Sequence, residues 1–129
     1  MRPMLACKLK DVSQVRYPVM ATPKLDGIRC LIQNGGAVSR TLKPIPNRHA
    51  RAYLESYAQD GCDGELMLPA PSTFQDISSL FMSHDLVPPD DWYFAVFDWQ
   101  PRLDDSRGES GSRCAISMDG GDAIYRHAQ

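Results

Sequence analysis

Several features are absent from this sequence, and each absence excludes a class of protein. The four cysteines lie far apart, with neither a CxxC pair nor the Cys/His spacing of a zinc site: Cys7, Cys30, Cys62 and Cys114. No apolar run approaches the roughly 20 residues that a membrane span needs, and the N-terminus lacks the apolar core of a signal peptide. We therefore expect buried or idle thiols, a cytoplasmic protein and no membrane partner.

A strong excess of charge of either sign is also absent. The formal net charge is -2, from 14 Lys and Arg against 16 Asp and Glu. Because backbone binding to nucleic acid depends on Lys and Arg neutralising phosphates, any contact with DNA must be a local patch. The two Gly-Gly pairs lack the GxxxxGK[ST] frame of a P-loop, so ATP would need another kind of pocket.

The hydrophobic content, 43% of 129 residues, is enough for the core of one domain. Pro18 and Pro23 disfavour a helix around Lys24, and apolar residues alternate from Ile28 to Gln33, which predicts two extended segments over residues 17–33. Asn34-Gly35-Gly36 favours a tight hairpin. The returning strand is predicted over residues 37–41 and would carry Arg40.

The following residues alternate between helical and extended patterns. A helix capped by Asn47 is predicted to run to about Gln59, and a second one, with a capping box at Ser72 and Gln75, to near His84. Phe74, Ile77 and Phe81 would fall on one face of this second helix. Buried strands are expected over residues 62–68 and 92–99, and a linker or disordered segment after residue 100. These elements predict an α+β fold with antiparallel β-sheets and flanking helices.

The segment KLDGIR, residues 24–29, carries the most specific chemistry. Lys24 can attack a nucleotide α-phosphate only as a neutral amine, a form favoured by desolvation and nearby positive charge. Arg29 could supply that charge. Gly27 would let the backbone approach a nucleotide, while Asp26 could orient the loop or hold a hydrated metal. A charged hairpin without function is the alternative interpretation.

KLDGIR resembles motif I of the covalent nucleotidyltransferases, the superfamily of DNA ligases, RNA ligases and mRNA capping enzymes. Further segments resemble bacteriophage-type small ATP-dependent DNA ligases in the same order: Ser39-Arg40-Thr41 with Lys43 and Ile45, then DGEL at residues 63–66 (motif III) and FAVFD at residues 94–98 (motif IIIa). The resemblance implies a partial nucleotidyltransferase (ATP-grasp-like) adenylation domain at residues 1–100, truncated after motif IIIa. Residues 101–129 would be a linker or degenerate tail.

The resemblance also implies a role for each matching residue. Lys24 would be the adenylate acceptor, with the backbone of Thr22 and Pro23 along the adenine edge. Arg29 and Arg40 would contact ribose and phosphate, or the DNA end. ATP would be the co-substrate and Mg²⁺ the metal ion.

Two further residues have roles implied by the resemblance and an alternative that needs no ligand. Glu65 would bind the ribose hydroxyl and lie near the metal, and Phe97 would stack on adenine. Without the resemblance, Glu65 could equally be an exposed strand acid, and Phe97 would more often belong to the core. The other aromatic residues of that strand are expected to pack in the core or at an edge.

The sequence departs from the ligase pattern after residue 100. Motifs IV and V are not intact, since Gly111 to Ile116 is a poor counterpart of motif IV, and we expect this chain to lack the OB-fold domain of ligases. The favoured function is an ATP-dependent DNA ligase, or a truncated relative, that seals 5′-phosphate/3′-hydroxyl nicks in double-stranded DNA through a lysine-AMP intermediate, in a bacterial or phage-infected cell. The alternatives are a catalytically impaired remnant that binds nucleotide, DNA or a partner, and an RNA ligase or capping-type enzyme. Weak or absent sealing is expected of this chain alone.

Overall fold

The fold is an antiparallel sheet with two helices. The computed structural model describes residues 2–3, 5, 7–8, 10–19 and 23–100, and the backbone of residues 123–126. The strands are Ile28–Gln33 (β1), Gly36–Ser39 (β2), Cys62–Met67 (β3), Tyr93–Trp99 (β4) and Ala123–Arg126 (β5), and the helices are Arg48–Tyr57 (α1) and Phe74–Phe81 (α2). The strand order is β2-β1-β3-β4-β5, with every neighbouring pair antiparallel. The predicted α+β fold with antiparallel strands is confirmed.

The hairpin between β1 and β2 forms at the predicted place. Asn34 and Gly35 have φ angles of 53° and 74°, and Gln33 pairs with Gly36. Strand β2 is shorter than expected, because the Ser39 N–H donates to the Lys43 carbonyl and closes a turn. The prediction that Arg40 lies on this strand is therefore wrong, since Arg40 is the first residue of the turn.

The hydrophobic core lies between the helices and one face of the sheet. Phe81 and Trp92 meet edge to face, with their ring centroids 5.6 Å apart. Alternate residues of the three central strands point into this core: Cys30 and Ile32 from β1, Cys62 and Leu66 from β3, and Phe94 and Val96 from β4. This alternation leaves the intervening side chains on the opposite face of the sheet.

Both helices begin with a side-chain cap, but one cap differs from the prediction. Asn47 caps α1 as expected. The capping box of α2 uses Thr73 and Asp76, one residue later than the predicted pair of Ser72 and Gln75. Ser72 instead donates its hydroxyl to the carbonyl of Leu68. The hydrogen bonds to Thr73 lower the pKa of the Asp76 carboxyl below its ordinary value.

Strand β4 departs most from its predicted form. Its first half is buried, but Phe97, Asp98 and Trp99 are exposed, so the prediction of a wholly buried strand is wrong at this end. Asp63 pairs with Asp98 and Gly64 with Val96, which leaves Phe97 as the extra residue of a β-bulge. A bulge turns the local strand direction, and the simple alternation of faces ends there.

Strand β5 was not predicted from the sequence. It pairs with β4 from Val96↔Ala123 to Tyr93↔Arg126 and forms an edge of the sheet. The predicted linker and the motif IV candidate at residues 111–116 lie outside the described residues, and the division of the chain at residue 100 stays a prediction. None of the helices in the described part of the chain is long and apolar enough to cross a membrane.

The cysteines provide a test of the core. Cys30 is completely buried and burial raises the pKa of its thiol, whereas Cys7 is exposed. Because only the thiolate reacts rapidly, we expect iodoacetamide at pH 8 to modify Cys7 in the native protein and Cys30 only after unfolding in urea. Peptide mass spectrometry of a Cys114→Ser variant measures both rates. Equal native rates at the two cysteines would contradict this packing.

Candidate functional site

An open cleft of about 920 Å³ lies against the face of the sheet that carries Arg29, Glu65 and Phe97. The loop before β1 forms one side of the cleft, and the turn after β2 and residues at both ends of α2 contribute to its lining. The hydrogen bonds between neighbouring strands keep the floor of the cleft rigid, while the loop and the turn bring side chains to its rim. A rigid floor with loop residues at its edge is the usual arrangement of a ligand site.

The cleft brings together eight of the nine site residues that the sequence predicts. They come from four separate segments of the chain and all line this one cleft: Pro23, Lys24, Asp26, Gly27, Arg29, Arg40, Glu65 and Phe97. Thr22 lies outside the described residues. The roles implied for these residues stay predictions, but the convergence of segments more than 70 positions apart in the chain is an observation of the fold.

Lys24 lies in the irregular segment that precedes β1. Its side chain is exposed, and Pro23 and Asp26 beside it are exposed as well. The extended strand begins only at Ile28, so the lysine is held by a short loop rather than by the sheet ladder. This position leaves the amine accessible to a ligand in the cleft.

The loop is fastened to the sheet at Gly27. Its N–H donates a hydrogen bond of 2.7 Å to Oε2 of Glu65 on β3. A Cβ at this position would collide with the carbonyl oxygen of Leu66 and with Sδ of Met67. Glycine is thus required by close packing of the loop on β3, whereas the sequence had suggested room for a nucleotide.

Replacement of Gly27 by alanine is expected to lower the free energy of unfolding by about 1–3 kcal/mol, because the backbone of β3 must move away from the new methyl group. Urea denaturation measures this change. Gly36→Ala is the matched control, since the nearest atom to its Cβ would be the Gln33 carbonyl oxygen at 3.4 Å and its φ is ordinary. Equal losses in the two variants would contradict the proposed collision.

Arg29 and Asp63 form a bidentate ion pair across β1 and β3. Nε donates to Oδ1 at 2.6 Å and an Nη donates to Oδ2 at 2.7 Å. These hydrogen bonds, opposed by partial burial, raise the pKa of the Arg29 guanidinium. Asp63 is only 7% exposed. Asp63 is not among the site residues predicted from the sequence, although an acid on a strand with apolar neighbours is a signal for such a partner.

Phe97 lies beside this ion pair. It is 40% exposed and lines the cleft, so the alternative interpretation that it packs in the core is wrong. The guanidinium carbon of Arg29 lies over the ring, 4.6 Å from its centroid. The bulge explains the exposure, because Phe97 has no partner in the register between β3 and β4.

The rest of the lining includes polar and apolar side chains. Arg40 is exposed at the turn after β2, where the hydroxyls of Ser39 and Thr41 lie 3.1 Å apart. Phe74 and Met82 also line the cleft and are 47% and 55% exposed. Of the three residues predicted to fall on one face of α2, Ile77 and Phe81 are buried and Phe74 is not. It is the first residue of the helix, next to the cap and outside the turn that packs on the sheet.

Comparison with known proteins gave matches among solved structures alone. No protein-family model matches the chain, and no match was found among curated proteins. One structure of the Chlorella virus DNA ligase-adenylate is 33% identical, with a TM-score of 0.71, and the match covers 79% of this chain and 36% of that one. A second structure of the same ligase-adenylate is 36% identical, with a TM-score of 0.69 over 76% of this chain and 35% of that one.

This chain thus spans about a third of the length of the ligase chains that it matches. The level of identity exceeds what a shared fold alone requires, and the matched region extends over most of the described residues. The similarity supports the α+β adenylation-domain fold that the motifs implied. The protein therefore has a DNA ligase-like fold over the matched 79% of its length.

Proposed function

We propose that this protein is an ATP-dependent nucleotidyltransferase of the DNA ligase type, with Lys24 as the residue that accepts AMP. The observation that carries the proposal is that Lys24, Glu65 and Phe97 line a single cleft in a chain 33% identical to a DNA ligase-adenylate. Each of the three was identified from its own motif, and the folded chain brings them within one cavity.

In the proposed first step, the neutral amine of Lys24 attacks the α-phosphorus of ATP. The new Nζ–P bond forms as the bond from that phosphorus to the bridging oxygen of the β-phosphate breaks. Pyrophosphate leaves and the amine loses a proton to solvent. The exposed loop position of Lys24 supports this role, because the nucleophile must reach a phosphate that enters from the cleft.

The other lining residues would orient the nucleotide. Phe97 offers an exposed aromatic ring on which adenine can stack. Glu65 offers a carboxylate for a ribose hydroxyl, and Arg40 an exposed guanidinium for phosphate or a DNA end. Arg29 is already held by Asp63, so we propose that it acts mainly through its contact with the ring of Phe97.

Mg²⁺ would accompany ATP. The described residues contain no group of three or more His, Cys, Asp or Glu side chains suited to hold a metal ion by themselves. Glu65 and Asp26 nevertheless fit Mg²⁺, because this ion is usually held by one or two carboxylates together with substrate phosphates and waters. When bound, the ion would neutralise charge on the phosphates, and Glu65 would hold it while keeping its bond to the Gly27 N–H.

Incubation of the folded protein with Mg²⁺ and α-labelled ATP or GTP tests the proposal. We expect an acid-stable label from ATP that peptide mass spectrometry locates at Lys24. A label from GTP in preference to ATP would favour a capping-type enzyme. If neither nucleotide labels the soluble folded protein, the proposed enzyme activity is wrong, and a protein that only binds nucleotide or DNA becomes the better interpretation.

The later steps of a DNA ligase would pass AMP to the 5′-phosphate of nicked duplex DNA, after which the 3′-hydroxyl displaces it. A nicked duplex with a labelled 5′-phosphate detects both the adenylated DNA and the sealed strand. Comparison with a nicked RNA duplex distinguishes a DNA ligase from an RNA ligase. Efficient sealing of RNA with no sealing or adenylation of DNA would contradict the assignment of DNA as substrate.

A further inference from the structure

Three side chains from three neighbouring strands are in continuous contact, and two of them, Arg29 and Phe97, line the cleft. Asp63 on β3 holds the guanidinium of Arg29 on β1 by two hydrogen bonds of 2.6 and 2.7 Å. The same guanidinium lies over the ring of Phe97 on β4, 4.6 Å from its centroid. Arg29 is the middle member and contacts both Asp63 and Phe97, so Asp63 can act on the position of Phe97 through Arg29.

Asp63 fixes Arg29 more firmly than a surface ion pair would. Its carboxylate is 10% exposed and the Arg29 side chain 23%, so water competes little with the pair. The bidentate geometry also sets the plane of the guanidinium, because two parallel N–H donors meet two oxygens of one carboxylate. A guanidinium held in this plane can lie flat on an aromatic ring.

Phe97 needs such a support because the sheet does not supply one. It is the extra residue of the bulge, without a partner in the register between β3 and β4. At 40% exposure, its ring is only partly enclosed by the protein. The Arg29 guanidinium covers one face of the ring, and the ring presents its remaining surface to the cleft.

We propose that Asp63 is a positioning residue for the nucleobase: through Arg29 it holds Phe97 so that one ring face is covered and the other accepts a purine. The inference depends on the proposed function, since it concerns how the same cleft takes the base of ATP. The completed stack would contain the guanidinium, the phenyl ring and the purine in sequence. Asp63 itself would contact neither the base nor the phosphates.

If this arrangement holds the base, loss of the Asp63 carboxylate should weaken binding of the base and leave binding of the phosphates unchanged. Direct binding to the purified full chain is measured by calorimetry with ATP and with inorganic tripolyphosphate, which lacks the base. In Asp63→Asn we expect the Kd for ATP to rise about tenfold, as loss of a stacking contact would produce. The Kd for tripolyphosphate should change by less than about twofold.

Asp98→Asn is the matched control. Asp98 is exposed and lies opposite Asp63 in the register of β3 and β4, and its charge also raises the pKa of Arg29, whereas the bidentate pair is the one with Asp63. The same chemical change there should leave the Kd for both probes within about twofold of the wild-type value. A loss of ATP binding in Asp98→Asn equal to that in Asp63→Asn would overturn the proposal, because general loss of negative charge would then explain both.

Arg29→Lys provides a second variant in case Asp63→Asn does not fold, as judged by circular dichroism. Lysine keeps the charge but cannot form the planar fork, so ATP binding should again weaken about tenfold while tripolyphosphate binding is retained. Addition of Phe97→Leu to Arg29→Lys should cause little further loss of ATP binding, because the two changes disrupt the same stacking contact. Additive losses, or equal losses for both probes, would overturn the proposal.

These outcomes separate the inference from the proposed function. ATP binding that depends on Asp63 in a protein that takes no label would support the stack and contradict the enzyme. Labelling of Lys24 with ATP binding unchanged in the Asp63 and Arg29 variants would support the enzyme and overturn the stack. A wild-type protein that binds no ATP would contradict both.

Discussion

Lys24→Arg is expected to abolish the acid-stable label from α-labelled ATP, with a fall of at least about 10³-fold in the rate of labelling. Arginine keeps the positive charge and much of the length of lysine, so attraction of the phosphates is retained. Its guanidinium stays protonated at neutral pH and has no free electron pair for attack on phosphorus. Lys24→Ala should lose the label as well, but with weaker binding of ATP because the charge is also lost.

The comparison of the two variants separates chemistry from binding. Calorimetry should give a Kd for ATP in Lys24→Arg within a few-fold of the wild-type value, and labelling at saturating ATP should still be absent. Lys43→Arg is the matched control, since Lys43 is an exposed lysine of the turn after β2 and does not line the cleft. If Lys24→Arg retained the label, or if peptide mapping located it at Lys43, Lys24 would not be the acceptor.

Asn47→Ala is expected to be strongly destabilising, with a loss of about 3 kcal/mol in the free energy of unfolding. The side chain is fully buried and makes hydrogen bonds in two directions. Oδ1 accepts from the N–H groups of His49 and Ala50, which caps α1. Nδ2 donates to three carbonyl oxygens at and after the end of α2: Leu80, Ser83 and Leu86.

The large expected cost has two parts. Loss of a helix cap costs about 1 kcal/mol, and the partly buried carbonyl oxygens of Ser83 and Leu86, which lose the Asn47 donor, add about 1–3 kcal/mol. Thr73→Ala is the matched control, because Thr73 caps α2 at an exposed position without a buried network. Thr73→Ala should therefore lose only the contribution of the helix cap, about 1 kcal/mol of the free energy of unfolding. Urea denaturation measures both variants under the same conditions.

Asn47→Asp tests separately the contribution of the hydrogen bonds from Nδ2 to the carbonyl oxygens. Aspartate keeps the oxygen that caps α1 but replaces the donor with a second acceptor that faces three carbonyl oxygens. We expect this variant to be at least as unstable as Asn47→Ala at neutral pH, since buried charge and carbonyl dipoles repel. A stability near that of the wild type would mean that capping alone accounts for the role of Asn47.

Features that depend on nearby residues could be predicted from the sequence. Asn34-Gly35 forms the β1–β2 turn because these residues tolerate positive φ, and Asn47 caps α1 because its short amide reaches the first free N–H groups. The chemistry assigned to the KLDGIR segment also rests on residue types at close spacing, and it stays a prediction. The shift of the α2 cap from Ser72 to Thr73 shows the limit of this approach, because two adjacent hydroxyl residues satisfy the same local rule.

The sequence by itself determined the order of the elements from β1 to β4, the hairpin and the first helix cap. Only the tertiary structure decided that Phe97 is exposed, that Asp63 holds Arg29 and that Gly27 packs on β3. The physical reason is that each of these features joins strands far apart in the chain. Arg29 and Asp63 are 34 residues apart, and Gly27 and Glu65 are 38 apart. Pairing register and a bulge, which no local preference specifies, bring them together.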